Sequence, residues 1–276
     1  MLRRSLDRLG FVVGILRATA GLRAAKTAIL AAAGARGSQG DGRGPVLVPM
    51  RELGGESLSI RPGTSDLRNA VAYYSHRIHM PPPGVVPTRA IVELGTNCGV
   101  ALAALGHAFP DARLLGVEPD PGNVEAARAN TARFGDRCEV VNSAVWSEST
   151  ELVLVPSVEH GDHGITVRPV SSGDDPSWAR MSALTIDDVL ARHLPDGESV
   201  DYMHISIEGS EPGVFDAGGR WPQRVHSLRV EVHPYFGWDQ DDCIRQLTDL
   251  GYRAWAAPDP PDKWVFAVNE AARSTA

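Results

Sequence analysis

Cysteine is scarce and scattered in this chain. Cys98, Cys138 and Cys243 are odd in number, widely spaced and never fall in a Cys-x-x-Cys pair. That pattern builds neither a disulfide framework nor a zinc site, and a reducing cytoplasm is the expected setting. Long apolar runs are missing as well. The run behind the first arginines, "FVVGIL", ends after six residues at Arg17, too short to span a bilayer and poor as a secretory signal. Positive charge is also lacking overall. The net charge is −7, which disfavours nucleic acid as the main partner, because phosphate binding calls for a basic face. There is no internal repeat, and low complexity is confined to "GARGSQGDGRG", residues 34–44, whose glycines read as a flexible linker.

What is present is an alternation of strands and helices. Residues 1–33 are rich in alanine and arginine, and Leu2, Leu6, Leu9, Val13 and Leu16 fall at helical steps on one stripe. This predicts an amphipathic helix that docks on its own domain or on a second copy, with a homodimer as its purpose; a membrane-surface helix is the alternative. "VLVPM" and "SLSI" read as a strand pair around Gly54-Gly55, and the stretch after Ser65 or Asp66 as a helix ended by Pro81-Pro82-Pro83. From there the pattern gives strand 90–94, helix 99–108, strand 114–118, helix 121–134 and strand 138–142. Asp120 and Pro121 form a fitting helix start. A hairpin is expected across 151–169, a short helix at "IDDVLARHL", buried strands at 200–207 and 227–233, a helix over 239–250 and two closing strands. The implied organisation is an N-terminal helix and linker (1–45), a cap (46–83) and an α/β domain (84–276) with an inserted hairpin. Its sheet is mostly parallel, with helices on both faces.

The stretch "AIVELGTNCGVALAALG", residues 90–106, is a strand, a glycine turn and a helix opening, which leaves backbone N–H groups facing a ligand. A dinucleotide fingerprint needs a second glycine where Asn97 stands, and a phosphate loop needs a lysine after Gly99. Both are absent. Two glycines with acids at strand ends suit a phosphate-free ligand with a positive centre, such as S-adenosylmethionine. Glu118, ending "LLGVE", is placed to accept hydrogen bonds from a ribose diol. Asn142, Ser143 and Ala144 follow the third strand, where an adenine would lie.

At these residues the chain resembles a known family. "VELGTNCG" followed by "GVEPDPGNVEAARAN" is similar to the first two motifs of class I S-adenosylmethionine-dependent methyltransferases. "IRPGTSD", "LTIDDVL", "VDYMHISIEGSEPGVFDAG" and "SLRVEVH" resemble the FkbM family more narrowly, over about residues 57–269. The family pattern at the fourth strand reads Lys-Ile-Asp-Val-Glu-Gly-x-Glu. Here His204 and Ser206 replace the lysine and the aspartate, while Glu208, Gly209 and Glu211 are kept. The resemblance implies a Rossmann-like seven-stranded sheet with an antiparallel last strand. It also implies S-adenosylmethionine held by Glu93, Gly95, Thr96, Asn97, Gly99, Glu118, Asn142, Ser143 and Ala144. The implied reaction is methyl transfer to a small-molecule hydroxyl, often on a sugar or a secondary metabolite.

A hydroxyl must lose its proton as it attacks, so a base is sought at the strand ends. His233, in "EVHP", is one candidate for a catalytic base, or else a structural histidine. Glu208 is the other, as base, acceptor-binding group or partner of the donor's amino end. Glu208, Glu211, Glu231 and His233 offer oxygen and nitrogen ligands that could converge on a metal, although Ser206 removes the most natural one, and no metal is expected. His160 and His163 fall on the hairpin tip, above the acceptor or in solvent. An N-methyltransferase, a non-catalytic donor binder and an NAD-dependent oxidoreductase remain as other readings.

Overall fold

The run "AIVEL" lacks polar–apolar alternation, so it is stable only where both sheet faces are covered. A computed structural model of the chain places it there, and it also buries every residue of "SLRVE", whose polar and apolar residues do alternate. The structure describes residues 2–34, 44–157, 161–258, 260 and 262–273, with backbone alone for 2–9, 33–34, 156–157, 161–165 and 273. The expected linker at 34–44 and His160 therefore lie largely or wholly outside the described residues, as does the side chain of His163.

The chain begins with helices α1 (Leu2–Ala18) and α2 (Leu22–Gly34), the antiparallel pair β1 (Val46–Pro49) and β2 (Ser57–Ile60), and α3 (Asp66–His76). Then come β3 (Ala90–Leu94), α4 (Val100–Ala108), β4 (Arg113–Glu118), α5 (Pro121–Thr131), β5 (Cys138–Asn142) and β6 (Ala144–Val145). The hairpin β7 (Glu151–Ser157) and β8 (Gly161–Pro169), β9 (Arg180–Leu184) and α6 (Ile186–His193) follow. The last part holds β10 (Tyr202–Ile205), α7 (Glu211–Asp216), β11 (Ser227–Glu231), α8 (Gln240–Asp249), β12 (Arg253–Ala256) and β13 (Trp264–Val268).

The seven-stranded sheet runs β12-β13-β11-β10-β3-β4-β5. Neighbours from β11 through β5 pair in parallel, and β13 is antiparallel to both β11 and β12. This is the Rossmann-like α/β sheet with an antiparallel last strand. Alternation along β3 sorts the helices. Ala90, Val92 and Leu94 share a core with Val189 of α6, Phe215 of α7 and Leu247 of α8. Ile91 joins Leu102 of α4 and Val124 of α5 on the other face. Strand order reverses between β10 and β3, so the crevice at their carboxyl ends is where such sheets hold ligands.

The hairpin is longer-reaching than its sequence showed. β7 pairs with β9 and β9 with β6, making a four-stranded sheet in the order β6-β9-β7-β8. "RMSAL" has no β-branched residue and β6 is two residues long, so neither carries a local strand signal.

The N-terminus departs from the expected leucine stripe. It forms two helices, parted at Gly21 (φ +102°). α1 packs on α3 through its small face: Ile15 and Ala18 are buried, whereas Val13 and Leu16 are 39% and 42% exposed. Gly14 decides this. A Cβ there would come 2.5 Å from Val71 Cγ1 of α3, so only the glycine face can approach closely enough to pack. Among the described residues no helix is long and apolar enough to cross a membrane.

Candidate active site

A cavity of about 540 Å³ opens at the β3–β10 crevice. Its first end is the glycine turn. The N–H groups of Gly95 and Thr96 both donate to the Val117 carbonyl, at 2.9 and 3.0 Å, which binds the turn to the end of β4. Gly95 has φ +83°, and a Cβ there would fall 1.8 Å from the Ser206 carbonyl oxygen. A side chain is thus barred twice, by conformation and by the backbone that follows β10. Asn97, also left-handed at φ +47°, turns its N–H toward Glu118 Oε2 at 2.8 Å.

Glu118 ends β4 with its other oxygen accepting from the Asp120 N–H (3.0 Å) and Asn123 Nδ2 (3.3 Å). Burial outweighs these bonds and raises its carboxyl to about 7. Glu93 sits buried at the end of β3, where Thr96 Oγ donates to its Oε2 at 2.5 Å. Ser143 and Ala144 line the cavity beside them.

Two expected ligand residues stand elsewhere. Gly99 is outside the cavity lining; a Cβ there would come 2.8 Å from Ala127 Cα. Its role is to let α4 and α5 close up behind the turn. Asn142 is also outside. Its Nδ2 donates to the carbonyls of Glu118 and Pro119, at 3.0 and 2.8 Å, and so it fixes the end of β4 from behind. Spacing in sequence could not separate a residue facing the cavity from one bracing its wall.

The second end is built by the segment after β10. Glu211, fully buried at the start of α7, accepts from the N–H groups of Ile207 and Gly209, each at 2.8 Å. That double bond folds the segment back and holds Glu208 in a left-handed conformation, φ +51°, with its carboxylate at the cavity wall. Tyr235 donates to Glu208 Oε2 at 2.9 Å. Burial, reinforced by the charge of Glu231 and opposed by His233, raises the Glu208 pKa.

His233, 3% exposed, lies among three carboxylates. Nδ1 is 3.2 Å from Glu211 Oε1, a close ion pair without hydrogen-bond alignment, and Nε2 is 3.6 Å from Glu208 and 4.0 Å from Glu231. Burial alone would lower its pKa, but Glu211, Glu231 and Glu208 together lift it to about 9. At neutral pH the ring is an imidazolium with both nitrogens protonated. In that form it has no lone pair free to take a proton, which favours Glu208 over His233 as the base. The four residues considered as metal ligands do converge, around the imidazolium. Among the described residues no group of three or more is disposed to hold a metal ion.

Glu231, at the end of β11, is held ionised against its burial by Lys263 and His233, with Lys263 Nζ at 2.6 Å and Ser206 Oγ at 2.6 Å. Ser206 therefore does not leave a gap where the family pattern has an acid. A carboxylate from the adjacent strand reaches the same place. His204, at the lysine position of that pattern, stacks on Trp264 at 5.2 Å with Nδ1 3.4 Å from Glu93. Tyr73 of α3 closes this end, its phenol pushed well above its ordinary range by burial and by Glu231, Glu93 and Glu208. Tyr73, Lys263 and Tyr235 were invisible to sequence reasoning. None falls in a spacing that signals chemistry, although Lys263 is one of two lysines in the chain.

The sequence pattern of the methyltransferase FkbM domain matches residues 96–254, more than half of the chain. The chain belongs to the FkbM methyltransferase family. The matched region is an FkbM-type, S-adenosylmethionine-dependent methyltransferase domain. It is 35% identical over 75 residues to a tRNA1(Val) (adenine(37)-N6)-methyltransferase of Porphyromonas gingivalis, covering 26% of this chain and 29% of that protein. It is 36% identical over 84 residues to the release factor glutamine methyltransferase of Corynebacterium glutamicum, covering 30% and 28%. The chain thus matches less than a third of either relative's length. Similar solved structures include apo SibL, an S-adenosylmethionine-dependent methyltransferase, with TM-score 0.43, 15% identity and coverage of 97% of this chain and 76% of that one. An O-methyltransferase from Bacillus cereus has TM-score 0.39, 14% identity and coverage of 66% and 74%.

Proposed function

We propose that this family member methylates a hydroxyl of a small molecule, a sugar or a secondary metabolite. The observation that carries the reading is the pairing, in one cavity, of the glycine turn with a raised carboxylate, Glu208, at the opposite wall. The residues present fit the donor. Gly95 lines the cavity with bare backbone, held so close to the Ser206 carbonyl that no Cβ fits, and Glu118 is a buried carboxylate suited to a ribose diol. Glu93, Thr96 and Asn97 would face the methionine end, and Ser143 and Ala144 the adenine. Gly99 and Asn142 would support that wall rather than touch the ligand.

The bound donor supplies an activated methyl on a sulfonium, so the chain's task is alignment and proton removal. Alignment of the acceptor oxygen against the methyl is worth roughly 7–11 kcal/mol. Glu208 takes the hydroxyl proton as the new O–C bond forms. Its elevated pKa makes it a better acceptor of that proton than an ordinary carboxylate. Glu231 and Lys263 would hold neighbouring hydroxyls of the acceptor. The His233 imidazolium fixes Glu208 and Glu231 and keeps two close carboxylates compatible. The test is release of S-adenosylhomocysteine with a panel of glycosides and phenols beside a matched panel of amines. Turnover on hydroxyls is expected; turnover confined to amines would overturn the reading.

Glu118 gives a pH prediction. Its carboxyl, at about 7 in the free protein, must ionise to accept two hydrogen bonds from a diol. The dissociation constant of S-adenosylmethionine should therefore rise as pH falls below about 7. Glu118→Ala should weaken binding at least about tenfold at pH 8, since a hydrogen bond to a charged group contributes about 1.5–3 kcal/mol. Calorimetric titration checks both. Unchanged affinity in the variant would remove the ribose assignment.

A further inference from the structure

The N-terminal helices leave an apolar, cationic surface that the domain does not cover. α2 buries its alanines, Ala24, Ala25, Ala28 and Ala31, and turns Leu22 (81% exposed), Ile29 and Leu30 (61% exposed) outward. Lys26 lies between them on the same helical stripe, four residues after Leu22 and four before Leu30, and is exposed with Arg23. α1 does the same. Its glycine face is locked on α3, and Val12, Val13 and Leu16 are exposed beside Arg17.

The described charged side chains of these helices, Arg17, Arg23 and Lys26, are all basic and all exposed. Residues 1–34 carry six basic side chains against the single acid Asp7, in a chain whose net charge is −7, and no acid occurs between Arg8 and Gly34. We propose that this face docks on an anionic lipid bilayer, with α2 lying in the interface plane, its leucines among the acyl chains and its cations at the headgroups. Each half of the surface selects against another occupant. A second copy would set like charges against like, which opposes a homodimer through these helices. Nucleic acid would satisfy the cations but leave Leu22 and Leu30 in water. Apolar residues on one helix face with interspersed lysine and arginine suit a surface that offers both hydrocarbon and negative charge. The proposal is independent of which group the enzyme methylates.

The test is co-flotation of the full chain with vesicles of phosphatidylcholine, with and without phosphatidylglycerol. Binding is expected with the anionic vesicles and should fall steeply with added salt. Arg17→Gln/Arg23→Gln/Lys26→Gln should weaken partitioning by about 10²-fold, from a contribution equivalent to about fivefold per cation. Leu22→Ser/Leu30→Ser should weaken it as well, through the apolar half. These positions are exposed, and an unchanged melting curve and unchanged S-adenosylmethionine affinity confirm that each variant is folded. Failure of the parent chain to bind anionic vesicles at low salt would overturn the proposal. So would a dimer in sedimentation that Leu22→Ser/Leu30→Ser dissolves, or tRNA binding lost in the glutamine variant while vesicle binding stays.

Discussion

Glu208→Gln is expected to lower kcat by about 10²–10⁴-fold while S-adenosylmethionine affinity changes by no more than a few-fold. Glutamine keeps the shape, the left-handed backbone and an oxygen for the Tyr235 hydroxyl, and removes only the capacity to take a proton. The pH profile separates Glu208 from its neighbour. Burial raises the Glu208 carboxyl above the ordinary carboxylate range, so activity should climb through a limb in that raised region. His233 titrates at about 9. A limb at that higher pH, lost in His233→Gln and kept in Glu208→Gln, would return the base to the histidine. Near-normal turnover by Glu208→Gln at saturating acceptor would remove the carboxylate from the chemistry.

Glu211→Ala should be the most destabilising single change at the site. It removes the acceptor of two backbone N–H groups and leaves the His233 imidazolium without its nearest counter-charge. Breaking a buried pair by deleting one partner costs about 3–5 kcal/mol, and a chain of this size melts about 2–4 °C lower per kcal/mol. Calorimetric melting reads the effect, with Glu211→Gln falling between. The pH dependence carries a sign. His233 binds its proton more tightly folded than unfolded, so its stabilisation is complete below about 6.5 and is lost as pH rises through about 9. Glu211→Ala should flatten the loss of stability across that window. An alkaline decline of the same size in variant and parent would show that the histidine is held by other groups.

Much of the fold was legible because its signals are local. Asp120 and Pro121 mark the start of α5, and the Asp120 side chain does accept from the Asn123 N–H at 2.8 Å. The near-continuous apolar run of β3 marks it as a central strand, and the glycine turn with Glu93 and Glu118 marks one end of the cavity. Those features depend on neighbours within a few residues or on simple alternation, which sequence records directly.

What the sequence could not supply are the pairings across the sheet. Ser206 reads as the loss of an acid, yet Glu231, 25 residues away, brings a carboxylate to its hydroxyl at 2.6 Å. His233 reads as a base from its type and its strand-end position, but its protonation follows from Glu208, Glu211 and Glu231 converging on it. Gly99 and Asn142 look like ligand residues until α5 and the end of β4 are seen behind them. On α1 the leucine stripe predicted one buried face, and the clearance at Gly14 chose another. Residue type and spacing determined that this chain forms a mostly parallel α/β sheet with a glycine turn after its first parallel strand. Which side chains face the cavity, and which of them hold protons, was decided by distances between strands, because Coulomb energy and burial depend on separation in space rather than along the chain.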